Sequence, residues 1–421
     1  MSLREFIESE EFTRIEQEVS TRLEITKYLK ENKPILLEKI KGYPSVKVVG
    51  NVIYSRETAA RAIGTNKHEI INKFLKCLDN PMKYSYKDSA DFMENIVKNP
   101  DIIKQIPLTV FFEEYERYYT TATIVLARDP ETDRMNASFH RLMYLGGRKF
   151  AIRLVPRDLY SFYIKNKEKG RDTPIAIICG VHPAISIAAA TSYPDLNELE
   201  LANSFLNGKL ECIDLNGIDI PAEVEVVMYG RILHNEEADE GPFVDLTGTW
   251  DIVRRQPVVE IDELYFRKNP IWQVILPGGI EHKLLMGIPQ EPRIFKIVKN
   301  AIPTVKNVVL TEGGCCWLHA AVSIRKLTDG DGKTAGLAAL AAHPSLKAVV
   351  VVDDDVDITN PQEVEWAVAT RLVPSKGVII IPEAKGSTLD PSSAKRGVSS
   401  KLIIDATIPL DRDRKEFEKV Y

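Results

Sequence analysis

Four apolar runs in the last third of the chain restrict the fold more than any other feature. They lie within residues 306–312, 347–355, 377–383 and 401–407. Strands buried on both faces have such runs, and they belong to parallel sheets covered by helices. Helical periodicity between the runs, at 333–343 and 361–372, supports this interpretation. Residues 291–421 are therefore predicted to form a parallel α/β domain, with a terminal helix that docks on a partner subunit.

The residues before 291 follow two other patterns. Residues 1–105 combine apolar β-type runs with helical periods, one of which starts at Ser55, so a small N-terminal α/β domain is predicted. Residues 106–290 contain many short strand-like runs between turns such as Asp129-Pro130. That pattern predicts an antiparallel sheet or a split β-barrel. Since a single core rarely grows to 421 residues, several domains are expected.

Charge and composition narrow the class of protein. The formal net charge is −5 and no apolar run reaches membrane-spanning length, which argues against nucleic-acid and membrane partners. The N-terminus is too charged for a signal peptide. The five cysteines contain no Cys-x-x-Cys pair and are interpreted as reduced thiols. A cytoplasmic protein is expected.

The segment Glu240-Gly-Pro-Phe-Val-Asp245 places two carboxylates on either side of a bend. Gly241 permits unusual backbone angles and Pro242 fixes its own, so the bend can aim both acids at one small volume. Two close carboxylates do not ionise independently, and one tends to keep its proton. The segment therefore contains a candidate proton donor, although solvated acidic turns have the same composition.

A predicted strand at residues 135–141 carries a second group of polar side chains. Because side chains alternate along a strand, Asn136, Ser138 and His140 should share one face while Arg141 points to the other. This arrangement separates amide, hydroxyl and imidazole groups from a guanidinium. Taken alone, it also fits an ordinary polar strand.

Other polar segments have structural as well as functional explanations. Glu198 and Glu200 open a predicted helix, where the dipole favours acids, but either could bind a hard metal ion. Residues 353–357 lack calcium-loop spacing, so turn and capping roles are favoured over a metal site. Residues 332–334, Gly-Lys-Thr, are interpreted as the start of a helix because Leu327 occupies the position of the first glycine of a phosphate loop.

Together, Asn136, Arg141, Glu198 and the 240–245 segment resemble the motifs of UbiD-type decarboxylases, which use prenylated FMN. Residues 180–184 and 220–225 add to a resemblance that runs in the same order along most of the chain. The resemblance implies three domains. These are an N-terminal α/β domain at 1–105, a flavin-reductase-like split β-barrel at 106–290 that binds the prenylated flavin, and a C-terminal α/β domain at 291–421.

The resemblance also implies roles for particular residues. Arg141, Glu240 and Asp245 correspond to the catalytic triad, in which Glu240 stays ionised and Asp245 donates the proton. Asn136 and Glu198 correspond to ligands of Mn²⁺ or Mg²⁺, and K⁺ is a further candidate ion. The residues implied to line the flavin are Phe139, His140, Arg141, Arg153, Leu154, Val155, Asp158 and Leu159. Arg157 stands where many members have a histidine ligand, which leaves the coordination of the ion open.

The segment 276–286 resembles archaeal members of the family and implies a substrate. The expected reaction converts trans-anhydromevalonate 5-phosphate to isopentenyl phosphate in a modified mevalonate pathway. The basic groups considered for the phosphate are His140, His234, His282 and Lys283. An aromatic acid of the 4-hydroxybenzoate type is the alternative substrate, and a non-catalytic flavin-binding assembly protein is the alternative class. A separate flavin prenyltransferase is expected to supply the cofactor, and a homo-oligomer, dimeric or larger, is expected.

Overall fold

The computed structural model describes residues 1–393, 395 and 397–420. It separates into two compact units. The first comprises Met1–Thr65 with Lys76–His282, and the second comprises Asn66–Leu75 with Lys283–Tyr421. The division into three domains inferred from the sequence stays a prediction.

The helices begin and end at residues that suit helix termini. Ser2 caps the first helix through a reciprocal bond with Glu5, and Asn360 caps the helix that begins at Pro361. The helices are α1 Leu3–Ser9, α2 Glu24–Leu29, α3 Arg56–Ala62, α4 Ile70–Asp79, α5 Ile102–Gln105, α6 Asp158–Glu168, α7 Pro183–Ala189, α8 Glu198–Phe205, α9 Ile280–Gly287, α10 Glu291–Ala301, α11 Asp331–Ala342, α12 Pro361–Arg371 and α13 Pro374–Gly377. None of the helices in the described part of the chain is long and apolar enough to cross a membrane.

The C-terminal tail departs from the prediction. In place of a terminal helix, the described residues 411–420 contain one 3₁₀ turn at Arg414–Phe417. Asp413 starts this turn by accepting a bond from the Lys415 N–H. None of the turn's residues is buried, and a segment this short is marginal as a helix without an apolar face to pack. The predicted terminal helix is therefore wrong, and Tyr421 lies outside the described residues.

The strands are more numerous in the first unit than in the second, and their lengths vary more, from two residues in β4 to 15 in β14. They are β1 Thr13–Val19, β2 Ile35–Ile40, β3 Lys47–Gly50, β4 Ser85–Tyr86, β5 Asn95–Lys98, β6 Tyr119–Thr120, β7 Ile124–Arg128, β8 Met135–Phe139, β9 Leu142–Gly146, β10 Lys149–Ile152, β11 Thr173–Cys179, β12 Glu211–Leu215, β13 Ile218–Pro221, β14 Val226–Glu240, β15 Phe243–Val244, β16 Trp250–Asp251, β17 Arg254–Phe266, β18 Ile271–Val274, β19 Val305–Leu310, β20 His319–Ile324, β21 Ala348–Asp353, β22 Val378–Lys385 and β23 Val398–Asp405.

The first unit contains two principal sheets. A four-stranded sheet has the order β1-β2-β3-β18, and β18 joins β3 in parallel. A nine-stranded sheet has the order β6-β9-β10-β17-β14-β11-β7-β8, and β5 pairs with β17 beside this path. The strands β7, β9, β10, β11, β14 and β17 pair with their neighbours in antiparallel fashion, as the sequence predicts for this region. The site described below lies along this larger sheet.

The second unit contains one five-stranded sheet of order β19-β20-β21-β23-β22. All four apolar runs form strands in it, and β20, β21 and β23 are parallel. The two outer pairs, β19 with β20 and β22 with β23, are antiparallel, so the predicted all-parallel sheet is corrected to a mixed one. The difference arises at the two ends of the sheet, because in each outer pair the two strands are consecutive in the chain and the described residues between them contain no helix of crossover length.

Two polar segments of the second unit prove to be structural. Arg371 binds Asp353 at 3.1 Å and Asp355 at 2.7 Å, so these acids take part in an ion-pair network. Gly332 lies in the first turn of α11, where an added Cβ would lie 2.3 Å from Asp405 Oδ1. The carboxylate of Asp405 therefore occupies the space next to this helix start.

Candidate active site

The predicted bend between Glu240 and Asp245 forms where the chain leaves β14 and enters the short hairpin of β15 and β16. Strand β14 ends at Glu240, whose side chain is fully buried, and β15 pairs with β16 through Phe243 opposite Asp251. Gly241 has φ of +99°, and the peptide bond between Gly241 and Pro242 is cis. An alanine Cβ at position 241 would lie 3.2 Å from the Ile252 carbonyl oxygen. A glycine is thus required here both by the backbone angle and by the close approach of the neighbouring strand.

Arg141 connects the two acids of the bend. Its Nε and Nη2 donate to the two carboxylate oxygens of Glu240 at 2.9 and 3.0 Å. Its Nη1 lies 3.6 Å from Asp245 Oδ2. Burial acts to lower the pKa of Arg141, but the Glu240 carboxylate outweighs it and the pKa is raised. The structure therefore brings Arg141, Glu240 and Asp245 together, with a forked charge-assisted pair at the centre.

Two further residues of this cluster were not found from the sequence. The Tyr119 hydroxyl donates to Glu240 Oε1 at 3.1 Å. Asp251 Oδ2 lies 3.7 Å from Arg141 Nη2, and both of its oxygens accept bonds from Arg254 at 2.5 and 2.8 Å. Burial alone would raise the pKa of Asp251, but these bonds hold it at about 2. Asp251 is therefore a permanent negative charge beside Arg141.

Asp245 is the most accessible acid of the cluster. Its side chain is 20% exposed, whereas those of Glu240 and Asp251 are 0% and 8% exposed. The Leu246 N–H donates to Asp245 Oδ1 at 2.6 Å. The other carboxylate oxygen, Asp245 Oδ2, faces Arg141. A small molecule can reach this acid more easily than the other two.

The polar side chains of β8 form a continuous chain on one face, as the alternation predicts. The Ser138 hydroxyl lies 3.0 Å from both Asn136 Oδ1 and His140 Nε2. His140 Nδ1 lies 2.9 Å from the carbonyl oxygen of Arg153. Burial lowers the pKa of His140 to about 4, so its ring is neutral and Nδ1–H donates to this carbonyl.

Glu198 ends this chain of polar groups. It is the first residue of α8, and its two oxygens accept from Asn136 Nδ2 at 3.2 Å and the Ala137 N–H at 2.9 Å. Burial raises the pKa of Glu198 to about 8, although the bond from the Ala137 N–H lowers it. No group of three or more His, Cys, Asp or Glu side chains in the described part of the chain could hold a metal ion. The two ligand candidates from the sequence thus supply one carboxylate and one amide.

The other residues expected around the flavin lie on neighbouring elements. Phe139 ends β8, and Leu154 and Val155 lie between β10 and α6. The Arg153 Nη1 donates to the Leu154 carbonyl at 2.8 Å. At the start of α6, Leu159 is buried, and Asp158 accepts a bond from Arg134 at 2.5 Å. Because α6 contacts β8, the residues form one neighbourhood.

The histidines considered for a phosphate have local partners. His234 Nδ1 lies 2.7 Å from Asp172 Oδ1, and His282 Nδ1 accepts from the Gly278 N–H at 3.0 Å. His140 is neutral, as described above. Lys283 belongs to the second unit. A role of these residues in binding a phosphate stays a prediction.

Comparison with known proteins identifies the family. Three models of one family match consecutive segments: the N-terminal domain of 3-octaprenyl-4-hydroxybenzoate carboxy-lyase at residues 4–78, its Rift-related domain at 83–280 and its C-terminal domain at 283–406. The chain belongs to the UbiD family. Relatives within this family share much of the sequence.

Two methanogen proteins named anhydromevalonate phosphate decarboxylase are similar to this UbiD-family chain over nearly its whole length. The protein from Methanothermobacter thermautotrophicus is 43% identical over 424 residues, covering 99% of both chains. That from Methanocaldococcus jannaschii is 45% identical over 395 residues, covering 92% of both. The phenolic acid decarboxylase of Bacillus subtilis is 30% identical over 398 residues, covering 89% of this chain and 83% of its own.

Solved structures of UbiD-class enzymes share the fold. HmfF from Pelotomaculum thermopropionicum in complex with FMN has a TM-score of 0.96 at 36% identity and covers 100% of this chain and 97% of its own. An evolved dimeric form of HmfF in complex with prFMN has a TM-score of 0.91 at 34% identity, with 100% and 99% covered. The mixed α/β fold is therefore that of UbiD-class enzymes.

Proposed function

We propose that this UbiD-family chain is a carboxy-lyase that uses prenylated FMN to convert trans-anhydromevalonate 5-phosphate to isopentenyl phosphate and CO₂. The observation that carries the proposal is the 43% and 45% identity to the two methanogen anhydromevalonate phosphate decarboxylases. In this reaction, the C–C bond to the carboxylate breaks, CO₂ leaves and one proton is added to the vacated carbon. The site must therefore bind a carboxylate and deliver a proton.

We assign the binding of the substrate carboxylate to Arg141. An arginine has five N–H donors. In Arg141, the Nε–H and one N–H of Nη2 donate to Glu240. The donors on Nη1 face Asp245 at 3.6 Å, which is longer than a hydrogen bond. A carboxylate placed there would gain a charge-assisted bond while Glu240 keeps the guanidinium in a fixed orientation.

We assign the proton transfer to Asp245. It is the most exposed of the three acids around Arg141, so it can exchange protons with solvent and still face the substrate. Glu240 is suited to a different role, because its two oxygens are bonded by Arg141 and Tyr119 and it has no exposed surface. A positioned general acid of this kind contributes about 10²–10⁴-fold to a reaction rate.

The cofactor proposal rests on how well the residues fit a phosphate and a cation. Glu198 is a buried carboxyl group that accepts bonds from the neutral Asn136 amide and Ala137 N–H, so a bound cation would offset the cost of its charge. Asn136 adds an amide oxygen, and hard divalent ions such as Mn²⁺ or Mg²⁺ prefer this ligand type. K⁺ is retained as a further ion, and Arg157 is assigned to the flavin phosphate.

The flavin itself would lie against the residues described above on β8, on α6 and between β10 and α6. They are Phe139, His140, Arg141, Arg153, Leu154, Val155, Asp158 and Leu159. When bound, prenylated FMN supplies an electron sink for the electron pair left by CO₂. The protein's contribution is to hold the substrate acid over this surface and to exclude water.

The proposal also covers the type of β-sheet in the first unit, the cellular location, the assembly and the source of the cofactor. We infer that the nine-stranded sheet is a flavin-reductase-like split β-barrel, because its neighbouring strands pair in antiparallel fashion and β8, beside the residues assigned to the flavin, belongs to it. We also infer a cytoplasmic homo-oligomer, dimeric or larger, that receives its cofactor from a separate flavin prenyltransferase. A solved dimeric form of HmfF supports the assembly.

Decarboxylation of an aromatic acid is the second candidate function. It is favoured by the 30% identity to the phenolic acid decarboxylase of Bacillus subtilis. A non-catalytic flavin-binding role is the third, and it is opposed by the cluster of Arg141, Glu240 and Asp245, because flavin binding alone does not require a buried ion pair next to an accessible acid.

The deciding experiment is a CO₂-release assay on protein produced together with a flavin prenyltransferase. CO₂ from trans-anhydromevalonate 5-phosphate alone supports the proposed function. CO₂ from 4-hydroxybenzoate alone would replace the substrate but keep the reaction. No CO₂ from either acid, with prenylated FMN bound, would support the non-catalytic role.

A further inference from the structure

Tyr119 is bonded to the centre of the cluster although it carries none of the assigned chemistry. Its hydroxyl donates to Glu240 Oε1 at 3.1 Å, the same oxygen that accepts from Arg141 Nε at 2.9 Å. The side chain is buried, and burial together with the Glu240 charge raises its pKa above the ordinary value. Tyr119 is therefore a neutral, permanent donor to this carboxylate.

The ring of Tyr119 is held by the same residues. It packs against Phe243 with a centroid distance of 4.7 Å, and the Arg141 guanidinium lies 4.3 Å from the centroid of the Phe243 ring. Phe243 thus contacts both partners of Glu240. Rotation of any one of these groups would disturb the others.

The backbone explains why Tyr119 lies next to Arg141. Strand β6 pairs with β9, and this register places Tyr119 opposite Met143 and Thr120 opposite Leu142. Arg141 directly precedes β9 and lies two residues before Met143, so Tyr119 and Arg141 are diagonal neighbours across this strand pair. The pairing of β6 with β9 thus brings the tyrosine beside the arginine.

We propose that Tyr119 is a positioning residue, whose hydroxyl fixes the rotation of the Glu240 carboxylate and thereby the direction in which Arg141 presents its free N–H donors. The proposal rests on the proposed function, since it takes Arg141 to bind the substrate carboxylate. A carboxylate held by the arginine fork alone can tilt about its own axis. With the third donor it has one orientation.

The test is the variant Tyr119→Phe, which removes the hydroxyl and keeps the ring. The control is Tyr144→Phe, because Tyr144 also donates to a carboxylate, Asp101 at 3.3 Å, and also packs on a phenylalanine, Phe150 at 5.7 Å. Loss of one hydrogen bond to a charged group is expected to lower kcat about tenfold in Tyr119→Phe. Because Arg141 is assigned to bind the substrate carboxylate, KM should rise as well, while the flavin content and the melting temperature stay near those of the control.

The outcomes separate the inference from the proposed function. A kcat equal to that of the control, or a loss explained by lower flavin content, would overturn the positioning role. A crystal structure of Tyr119→Phe supplies a readout that needs no turnover, and the inference expects the Glu240 carboxylate to rotate from its place on Arg141. An unchanged fork would overturn it. If the wild-type protein releases no CO₂ from either acid, the proposed function fails and the crystal structure alone decides on Tyr119.

Discussion

At the residue scale, the site is one arginine shared by acids of unequal exposure. Arg141 forms its two-point bond with Glu240, which is fully buried, and lies near Asp245 and Asp251 at 3.6 and 3.7 Å. Glu240, which forms the shortest bonds to the arginine, is the least accessible acid. Asp245, the most exposed of the three, lies beyond hydrogen-bond distance of the guanidinium. This difference suits Glu240 to orienting the arginine and Asp245 to donating a proton.

The role of Asp245 can be tested by a substitution that removes its capacity to donate a proton and keeps its size. Asp245→Asn should lower kcat about 10²–10⁴-fold, the usual contribution of a general acid. The KM should change much less, because Arg141 is retained. Asp239→Asn is the matched control, since Asp239 is a 67% exposed acid on the strand that leads into the same bend. Steady-state CO₂ release measures both, and wild-type turnover in Asp245→Asn would contradict the assignment.

The buried ion pair of Arg141 and Glu240 should also contribute to the free energy of unfolding. Arg141→Met leaves the fully buried Glu240 without its main partner, and breaking a buried pair in this way costs about 3–5 kcal/mol. Arg14→Met removes a more exposed pair with Glu38 and should cost about 1 kcal/mol or less. Melting temperatures of the two variants measure the difference. Equal losses would mean that Glu240 is stabilised by other groups.

The sequence predicted the members of this cluster that belong to motifs and missed those that do not. Glu240 and Asp245 stand in one short segment, and Arg141 stands five residues after Asn136, so the resemblance includes them. Tyr119 and Glu240 are 121 residues apart, and no local pattern marks a tyrosine as a donor to a distant carboxylate. Such contacts depend on sheet pairing that a single sequence does not reveal.

At the element scale, local sequence patterns predicted where strands form better than they predicted which strands pair with each other. Strand β14 is longer than the apolar run at 223–233 suggests, because its second half, 234–239, alternates exposed and half-buried residues as a strand with one solvated face does. Strand β18 lies within residues 106–290 and was therefore expected to join the antiparallel sheet of that region. It instead pairs with β3, because pairing is decided by tertiary packing and not by proximity in sequence.

The bend between β14 and β15 offers a test at this scale. Gly241→Ala forces a side chain onto a residue with φ of +99° and a Cβ 3.2 Å from the Ile252 carbonyl. We expect a loss of stability of about 1–3 kcal/mol and lower activity, since the bend holds both acids. Gly146→Ala is the control, because Gly146 has φ of +118° with no atom within 4 Å of its added Cβ. Melting curves that coincide for both variants would show that the backbone angle alone, and not the close contact, sets the cost.

At the scale of the whole molecule, a buried acid away from the cluster should make stability depend on pH. Glu281 accepts from the N–H groups of Val52 and Ile53 and from Gln273, and burial raises its pKa to about 8 despite these bonds. Because the folded protein binds this proton more tightly than the unfolded chain, the contribution to stability decreases as pH rises from about 4.5 to about 8.

The variant Glu281→Gln removes this titration. Its melting temperature relative to the wild type is expected to rise between about pH 5 and about pH 8, since only the wild type loses a favourable proton. Glu168→Gln, a change at an exposed residue of α6, should show no such trend. A difference between Glu281→Gln and wild type that stays constant with pH would show that Glu281 is ionised in the folded protein.

The pairing of β18 with β3 also affects how the protein is made. At about 5–20 residues per second, β18 leaves the ribosome roughly 10–40 seconds after β3. During that interval, β3 pairs only with β2, and its other edge exposes unpaired backbone groups in a nascent chain. Chaperone binding or slow translation should therefore matter most while residues 51–270 are being synthesised, before the last strand of this sheet exists.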